Sequence, residues 1–222
     1  MTEVRLCLAE GAVIALAGQP IVIATGFVTI YSLGKGATID AEGSSRAFIL
    51  KQFTTLALQR VHVRDGCTWG GEGGSEITRG HSGGGCFLVN VGARLNLIEL
   101  EVSGCRLREG DSDVTDNGHT ATNPYGGAIA VYAGHVLLNR TTLRNNSALD
   151  GGAIFASHGL LVVIESLLQD SRATRLGGCV LLIARSFHRQ QSGIVSATEH
   201  ARLVDAIGTA CASGHNMHGI LA

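Results

Sequence analysis

Two segments rich in aromatic, charged and imidazole side chains carry most of the chemistry that this 222-residue chain could perform. One runs from Thr68 to Gly83 and the other from Arg106 to Tyr125. Indole and phenol rings can stack on sugar rings, and surface loops on a rigid scaffold commonly carry function, so we expect a ligand site there. The candidate ligand-binding residues are Trp69, Arg79, His81, Asp111, Asp113, His119 and Tyr125. The alternative is surface decoration, because insertions in surface turns cost little free energy.

The second segment also contains closely spaced carboxylates that resemble a calcium-binding loop. Asp111, Asp113 and Asp116 precede Gly118, and calcium takes six or more oxygen ligands. The spacing departs by one residue from Asp-x-Asp-x-Asp-Gly, and no glutamate follows at the expected distance. The pattern therefore favours a solvated acidic loop, with calcium as the alternative, and no other cofactor is predicted.

The composition limits the classes of protein to which the chain can belong. Hydrophobic residues make up 45% of it, which excludes a disordered chain. The net charge of −1 gives no reason to expect nucleic-acid binding. No apolar run reaches the ~18 residues that a membrane-spanning helix needs. No signal peptide is visible after Met1.

A recurring Gly-Gly pair shows how the chain is organised. It opens a similar apolar segment at Gly84, Gly126, Gly151 and Gly177, at spacings of 42, 25 and 26 residues. The longer spacing is one repeat plus the second polar segment. Residues 47–50 fit the same template without the glycines. Such internal similarity at a period of 20 to 50 residues indicates a stacked repeat.

Each repeat contains three short runs in which the pattern recurs at every second position. In the unit from Gly126 these runs are 129–131, 136–138 and 141–143, and they recur 25 residues later. Alternation with a period of two predicts strands, and each strand would pair in parallel with its copy ~4.8 Å away in the next repeat. The sequence therefore predicts an all-β protein, a right-handed parallel β-helix (solenoid) of about six coils.

Two further patterns test this alignment of the repeats. Arg60, Glu99, Arg140 and Glu165 fall in one outward column when a one-residue slip is allowed, and alternating charges along stacked strands are favourable. Asn145 and Asn146 align with Asp170 and Ser171, which predicts turn side chains that bind neighbouring backbone groups. The Gly-Gly pairs are expected to serve tight turns with positive φ and a close approach between coils.

The ends of the solenoid are expected to differ. We predict the β-helix over 1–195 and a C-terminal cap or tail over 196–222, in which a capping box at 196–199 begins a short helix over 197–207. At the other end, 4–8 and 12–16 are predicted strands with no clear cap. Open strand edges of this kind are usually covered in natural proteins.

The six cysteines allow one plausible disulfide. Cys67 and Cys105 fall one position apart in adjacent coils, and a bond between them would suit an oxidising compartment. Cys86 and Cys179 share a column but lie three coils apart, ~14 Å by coil spacing, which is too far for a disulfide. The alternative for Cys67 and Cys105 is two separate, partly buried thiols.

Gly-Gly-Ala-Ile at 126–129 and 151–154, with Leu-Arg-Asn-Asn-Ser at 143–147, resembles the repeats of polymorphic outer membrane proteins. Those repeats carry Gly-Gly-Ala-(Ile/Leu/Val) and Phe-x-x-Asn, with Leu143 standing here in place of Phe. The resemblance implies a right-handed β-helix that is displayed at a surface and is often adhesive. More broadly the chain is similar to the pectin-lyase-like superfamily, which includes binders and carbohydrate-active enzymes.

The motifs of polygalacturonase-like enzymes (Asn-Thr-Asp, Asp-Asp, Gly-His-Gly and Arg-Ile-Lys) do not occur in the sequence. We therefore expect a non-catalytic binding and adhesion module, extracellular or at the cell surface, whose partner is a glycan or a surface protein. The first alternative is a polysaccharide-active lyase, hydrolase or epimerase on the same fold. The second is a structural repeat fragment of a larger surface protein.

Overall fold

The computed structural model describes residues 3–69, 83–108, 125–184 and 218–221, and their regular secondary structure is entirely β-strand. The first coil holds β1 (Glu3–Leu8), β2 (Val13–Ala15) and β3 (Ile21–Ile23), and the second holds β4 (Phe27–Ser32), β5 (Ala37–Asp40) and β6 (Phe48–Leu50). The third holds β7 (Thr55–Gln59), β8 (Val61–Arg64), β9 (Cys67–Trp69) and β10 (Phe87–Val89).

The later coils repeat the pattern of the third. The fourth holds β11 (Arg94–Ile98), β12 (Glu101–Ser103), β13 (Arg106–Arg108) and β14 (Ile129–Tyr132). The fifth holds β15 (His135–Asn139), β16 (Thr142–Arg144), β17 (Ser147–Asp150) and β18 (Ile154–Ser157). The sixth holds β19 (Leu160–Ile164), β20 (Leu167–Gln169), β21 (Arg172–Leu176) and β22 (Val180–Ala184), and β23 (His218–Leu221) pairs with β22.

Corresponding strands of successive coils form four sheets in which the pairings are parallel. Sheet A runs β1-β4-β7-β11-β15-β19, sheet B runs β2-β5-β8-β12-β16-β20, sheet C runs β3-β6-β10-β14-β18-β22-β23, and sheet D runs β9-β13-β17-β21. The predicted all-β parallel β-helix of six coils is confirmed.

The expected three strands per turn hold only for the first two coils. From the third coil onward the chain adds a short fourth strand in sheet D, between sheets B and C. These strands bury single apolar residues such as Leu107 and Ala148. One apolar residue shows no alternation, which is why the pattern of the sequence did not reveal the fourth strand.

The interior consists of stacked columns of like residues. Leu56 and Leu58 of β7 pair in register with Leu95 and Leu97 of β11. All four leucines are fully buried. The rings of Phe48 and Phe87 stack between sheet C strands with centroids 5.4 Å apart and planes 4° apart. Because each inward side chain packs against its copies above and below, a middle coil has its interior covered on both sides.

The outward charges confirm the predicted register at the corner between sheets A and B. Glu99 accepts from Arg60 on one side, with Nε and Oε2 2.9 Å apart, and from Arg140 on the other, with Nη2 and Oε1 2.8 Å apart. These residues and Glu165 share positive φ values of 45° to 53°. The column is therefore a corner in left-handed backbone conformation as well as a ladder of alternating charge.

The predicted role of the turn side chains is confirmed for Asn146 and Ser171. Asn146 is buried at the corner between sheets B and D, where its Oδ1 accepts from the Cys105 amide at 3.0 Å. The backbone amide of Asn146 donates to Ser171 Oγ at 3.4 Å. The side chains thus satisfy backbone groups of the neighbouring coils, and Asn145 and Asp170 beside them adopt positive φ.

The N-terminal end of the solenoid is as expected. The predicted strands over 4–8 and 12–16 are β1 and β2, and neither is covered by another strand on its outer side within the described residues. The helix predicted over 197–207 lies outside the described residues. Within the described part of the chain, no helix is long or apolar enough to span a membrane.

Candidate functional site

Both polar segments start from, and return to, the corner between sheets D and C. Trp69 at the end of β9 and Arg108 at the end of β13 are register partners in adjacent coils. On the return side, the Gly84 amide donates to the carbonyls of Tyr125 and Gly126 at 2.9 and 3.0 Å. The anchor points of the two insertions are therefore neighbours in the third and fourth coils, and we name this region the D–C corner.

The structure brings only part of the predicted ligand site into view. Trp69 is the last residue of β9, and Tyr125 forms a parallel β-bridge with Asp150 of the fifth coil. The other candidate residues lie outside the described residues, so ligand binding and the calcium loop stay predictions. Those residues are Arg79, His81, Asp111, Asp113, Asp116 and His119.

Glycine pairs build the D–C corner for two separate reasons. The first glycine of each pair has positive φ, for example 71° at Gly126. The second lies against the backbone of the next coil, since a Cβ on Gly127 would overlap the carbonyl oxygen of Gly152. Glycine meets both demands because it tolerates positive φ and has no side chain, as the spacing predicted.

Arg46 anchors the first insertion at both of its ends. It lies one coil before Gly85 in the glycine column and is only 8% exposed. Its Nε donates to the Gly84 carbonyl at 2.8 Å, and its Nη2 donates to the Gly83 carbonyl at 2.9 Å and to Thr68 Oγ1 at 3.3 Å. Arg46 was not among the predicted site residues, and its one signal in the sequence is that an arginine stands where later repeats have glycine.

A cluster of aromatic rings lies beside the end of the second insertion, on the outer face of sheet C. The Tyr125 ring stacks on Phe155 with centroids 4.2 Å apart and planes 11° apart. Tyr132 meets Phe155 at 5.6 Å in a tilted arrangement. Burial is the main cause that raises the pKa of Tyr132, and the neighbouring Tyr125 raises it further. The Arg46 guanidinium acts in the opposite direction.

The outer face of sheet C is apolar and buried, although outward positions were expected to be exposed. Ile49, Leu88, Ala130, Phe155 and Leu181 each point away from the interior, between two inward neighbours, yet none is more than 5% exposed. In the repeats these positions read as continuous apolar runs rather than alternation. Such runs are typical of strands in parallel sheets that are covered on both faces.

A carboxylate and a guanidinium complete the described part of the D–C corner. Asp150 is 1% exposed, and its Oδ1 accepts from Arg175 Nε at 2.9 Å and from the Leu176 amide at 3.0 Å. Its Oδ2 accepts from Arg175 Nη2. The hydrogen bond with Asp150 raises the pKa of Arg175, and Tyr125 acts in the same direction. Arg175 is thereby held next to the Tyr125 ring while its own side chain stays 43% exposed.

The predicted disulfide between Cys67 and Cys105 is wrong, because Cys105 of the fourth coil is bonded to Cys86 of the third, with Cα atoms 5.6 Å apart. Cys67 is the register partner of Arg106, so its side chain leaves the opposite face of the strand from that of Cys105. The Cys86 sulfur occupies the space beside Gly66, where a Cβ would lie 2.5 Å from it. Cys67 is a buried thiol.

The described residues define the class of the protein as an all-β parallel β-helix, with stacked parallel sheets in register. Comparison with protein families, curated proteins and solved structures finds no match to the chain. Within the described ranges, no three histidine, cysteine or acidic side chains come together in a group that could hold a metal ion.

Proposed function

We propose that the protein is a non-catalytic binding and adhesion module that holds a glycan at the D–C corner. The observation that carries this proposal is the register of the anchors: Trp69 pairs with Arg108, and Gly84 bonds to Tyr125 and Gly126. Two polar insertions with neighbouring ends can contribute side chains to one ligand. Loops on a rigid scaffold are where binding residues concentrate.

The rigidity of the anchors supports this proposal. Arg46 ties both ends of the first insertion to the second coil through carbonyls and a hydroxyl. The Cys86–Cys105 disulfide joins the start of β10 in the third coil to the start of β13 in the fourth, and these are the two coils from which the insertions leave. A site whose frame is already ordered loses less conformational entropy when it binds a ligand.

The chemistry of the corner favours a sugar as the ligand class. Tyr125 is held flat against Phe155, so its ring is oriented before any ligand arrives. Arg175, aligned by Asp150, offers hydrogen-bond donors beside that ring. An aromatic face suits the C–H face of a pyranose, and a guanidinium suits its hydroxyls or a uronate carboxylate.

An extracellular or cell-surface location is part of the proposal. Disulfides persist in oxidising compartments and are rare in the cytosol, and the Cys86–Cys105 bond supports such a setting. The resemblance of the repeats to surface-displayed passenger domains points the same way. A surface protein that carries accessible glycans is therefore a partner through the same site.

The proposal is tested by measuring binding of the full chain to neutral and uronate glycans immobilised on an array. Tyr125→Ala and Trp69→Ala are expected to lower the affinity for any bound glycan by about tenfold, the effect of losing ~1.4 kcal/mol of contact energy. Tyr31→Ala, which changes a tyrosine on sheet A far from the corner, is the matched control and should bind normally.

Two results would contradict the proposal. Unchanged glycan affinity in both corner variants would remove the D–C corner from the site. Shortened or unsaturated oligosaccharides after incubation with the same polysaccharides, with or without calcium, would make the protein an enzyme. Mass spectrometry of the reaction mixture detects such products.

A further inference from the structure

The first coil exposes side chains whose counterparts in the middle coils are buried. Val4, Leu6 and Ile14 point toward the axis of the solenoid and are 41%, 47% and 36% exposed. Two coils further on, the residues in the columns of Val4 and Leu6 are Leu56 and Leu58, which are fully buried. The N-terminal end is therefore a section through the apolar interior that nothing in the described chain covers.

The backbone at this end is open as well. β1, β2 and β3 are the terminal strands of sheets A, B and C, and each is paired on one side only within the described residues. A row of unpaired amides and carbonyls next to apolar side chains is a template for another strand. All three sheets thus end together on one surface, which we name the N-terminal end surface.

The lengths of the three strands match a two-fold contact. A two-fold axis perpendicular to the solenoid axis reverses strand direction, so strands of two copies meet in antiparallel fashion. It brings β1 against its own copy, and β2 against β3 of the other copy. β2 and β3, which would meet each other, have three residues each and are equal in length.

Charges on the outer face of β1 suit such self-pairing. Glu3 and Arg5 leave the same side of the strand, with Val4 between them pointing inward. When two antiparallel β1 strands are centred on Val4, Glu3 of each copy lies opposite Arg5 of the other. Opposite charges in directly facing positions stabilise a strand pair, whereas a register centred on Arg5 would place two arginines together.

Among the described strands, the sheets do not end at the same level at the opposite end of the solenoid. Sheet C continues through β23, while sheets A and B end at β19 and β20 in the described residues. A contact between two N-terminal ends has the same edges on both sides and closes after two copies.

We propose that the protein forms a closed dimer in which the N-terminal end surfaces of two copies pair through β1, β2 and β3. The dimer buries Val4, Leu6 and Ile14 and extends each sheet across the two-fold axis. It leaves the D–C corner of each copy available, so the proposal does not depend on the glycan-binding function. Two ligand sites in one particle would strengthen binding to a surface that carries many copies of a ligand.

Charge reversal provides the test, with the dissociation constant of the full-length dimer measured by analytical ultracentrifugation. Glu3→Arg and Arg5→Glu should each weaken the dimer by tenfold or more, because each sets like charges opposite each other. The double variant should restore the wild-type constant within about threefold. Arg94→Glu, which reverses an exposed charge on the same face of sheet A three coils away, is the matched control.

A wild-type chain that stays monomeric at tens of micromolar overturns the proposal. So does a dimer that both single reversals leave unchanged. Hydrogen exchange of the wild-type chain gives a measurement that needs no variant: the amides of β1 that face the contact should gain protection as the protein concentration rises. Protection of β1 that is independent of concentration would also contradict the dimer.

Discussion

The first and fifth coils are built from the same kinds of residue but reach opposite degrees of burial. In β15, the inward Val136 and Leu138 are at most 2% exposed, whereas the inward Val4 and Leu6 of β1 exceed 40%. Alternation along the strand is the same in both. The difference is that the fifth coil has a neighbour on each side and the first coil has one, so burial in a solenoid is a property of the stack.

The fifth coil is also held by contacts that the first coil lacks. It has a sheet D strand, a glycine pair at 151–152 and the buried Asn146, each of which bonds to adjacent coils. The first coil has three strands, with Ala17 bonded through its amide to Glu42 at one of its turns. We therefore expect substitutions in the middle coils to cost much more stability than equivalent ones in the first.

The largest difference should appear when a large inward side chain is removed. Phe87→Ala should lower the free energy of unfolding by about 4 kcal/mol, because a fully buried ring leaves a cavity. Leu6→Ala should cost about 1 kcal/mol, because half of that side chain already contacts solvent. Urea denaturation followed by circular dichroism measures both. Equal losses would show that the first coil is covered by other residues. Measuring both variants at protein concentrations below and above the dissociation constant of the dimer shows whether dimer formation provides that cover.

The disulfide should have the next largest effect. Cys105→Ser should lower the free energy of unfolding by about 3 kcal/mol, because the bond closes a loop of 19 residues in the unfolded chain. Cys7→Ser, in the exposed first strand, should change it by less than about 0.5 kcal/mol. Peptide mapping of the oxidised protein should recover Cys86 linked to Cys105. Recovery of Cys67 linked to Cys105 would reinstate the pairing expected from the sequence.

A smaller loss should follow from breaking one corner of the stack. Asn146→Ala removes the acceptor of the buried Cys105 amide and should cost about 2 kcal/mol. Asn96→Ala alters a half-buried outward asparagine on sheet A and should cost under about 0.5 kcal/mol. Thermal denaturation of the two variants side by side gives the comparison. Similar melting temperatures would mean that the Asn146 hydrogen bonds do not stabilise the coil.

The smallest effect should come from the outward charge ladder. Glu99→Gln removes the partner of Arg60 and Arg140, whose side chains are 40% and 56% exposed, so the loss should stay below about 1 kcal/mol. Raising the salt concentration should bring the wild type and the variant closer together. A loss above that, or one that salt does not reduce, would mean that Glu99 supports the corner through something other than charge.

The repeat was predictable because its marks are local. Gly-Gly recurs where the chain turns sharply, and Arg60, Glu99 and Arg140 recur where it turns between sheets A and B. Each mark depends on one or two residues and their conformation, so it is present in the sequence. The sheet D strands were missed because they bury too few apolar residues to show a period.

Parts of the candidate site were missed because they depend on contacts between distant residues. Arg46 reaches the first insertion across 37 and 38 residues of sequence, and Arg175 meets Asp150 across 25. The residues next to Arg46 and Arg175 in the sequence do not indicate which distant groups these arginines contact. The Tyr125 position was predicted from residue type, but its stacking on Phe155 requires the alignment of the fourth and fifth coils.

Alternation and spacing alone determined that the chain coils into a parallel β-helix, which side of the strands of sheets A, B and C faces inward, and where the Gly-Gly turns fall. These properties follow from the two-residue period of a strand and from the conformational freedom of glycine. Tertiary structure alone decided that Cys86 and not Cys67 pairs with Cys105, that the outer face of sheet C is buried, and that the first coil is open. The reason is that pairing and burial depend on which residues the neighbouring coils bring near, and that is set by the whole stack.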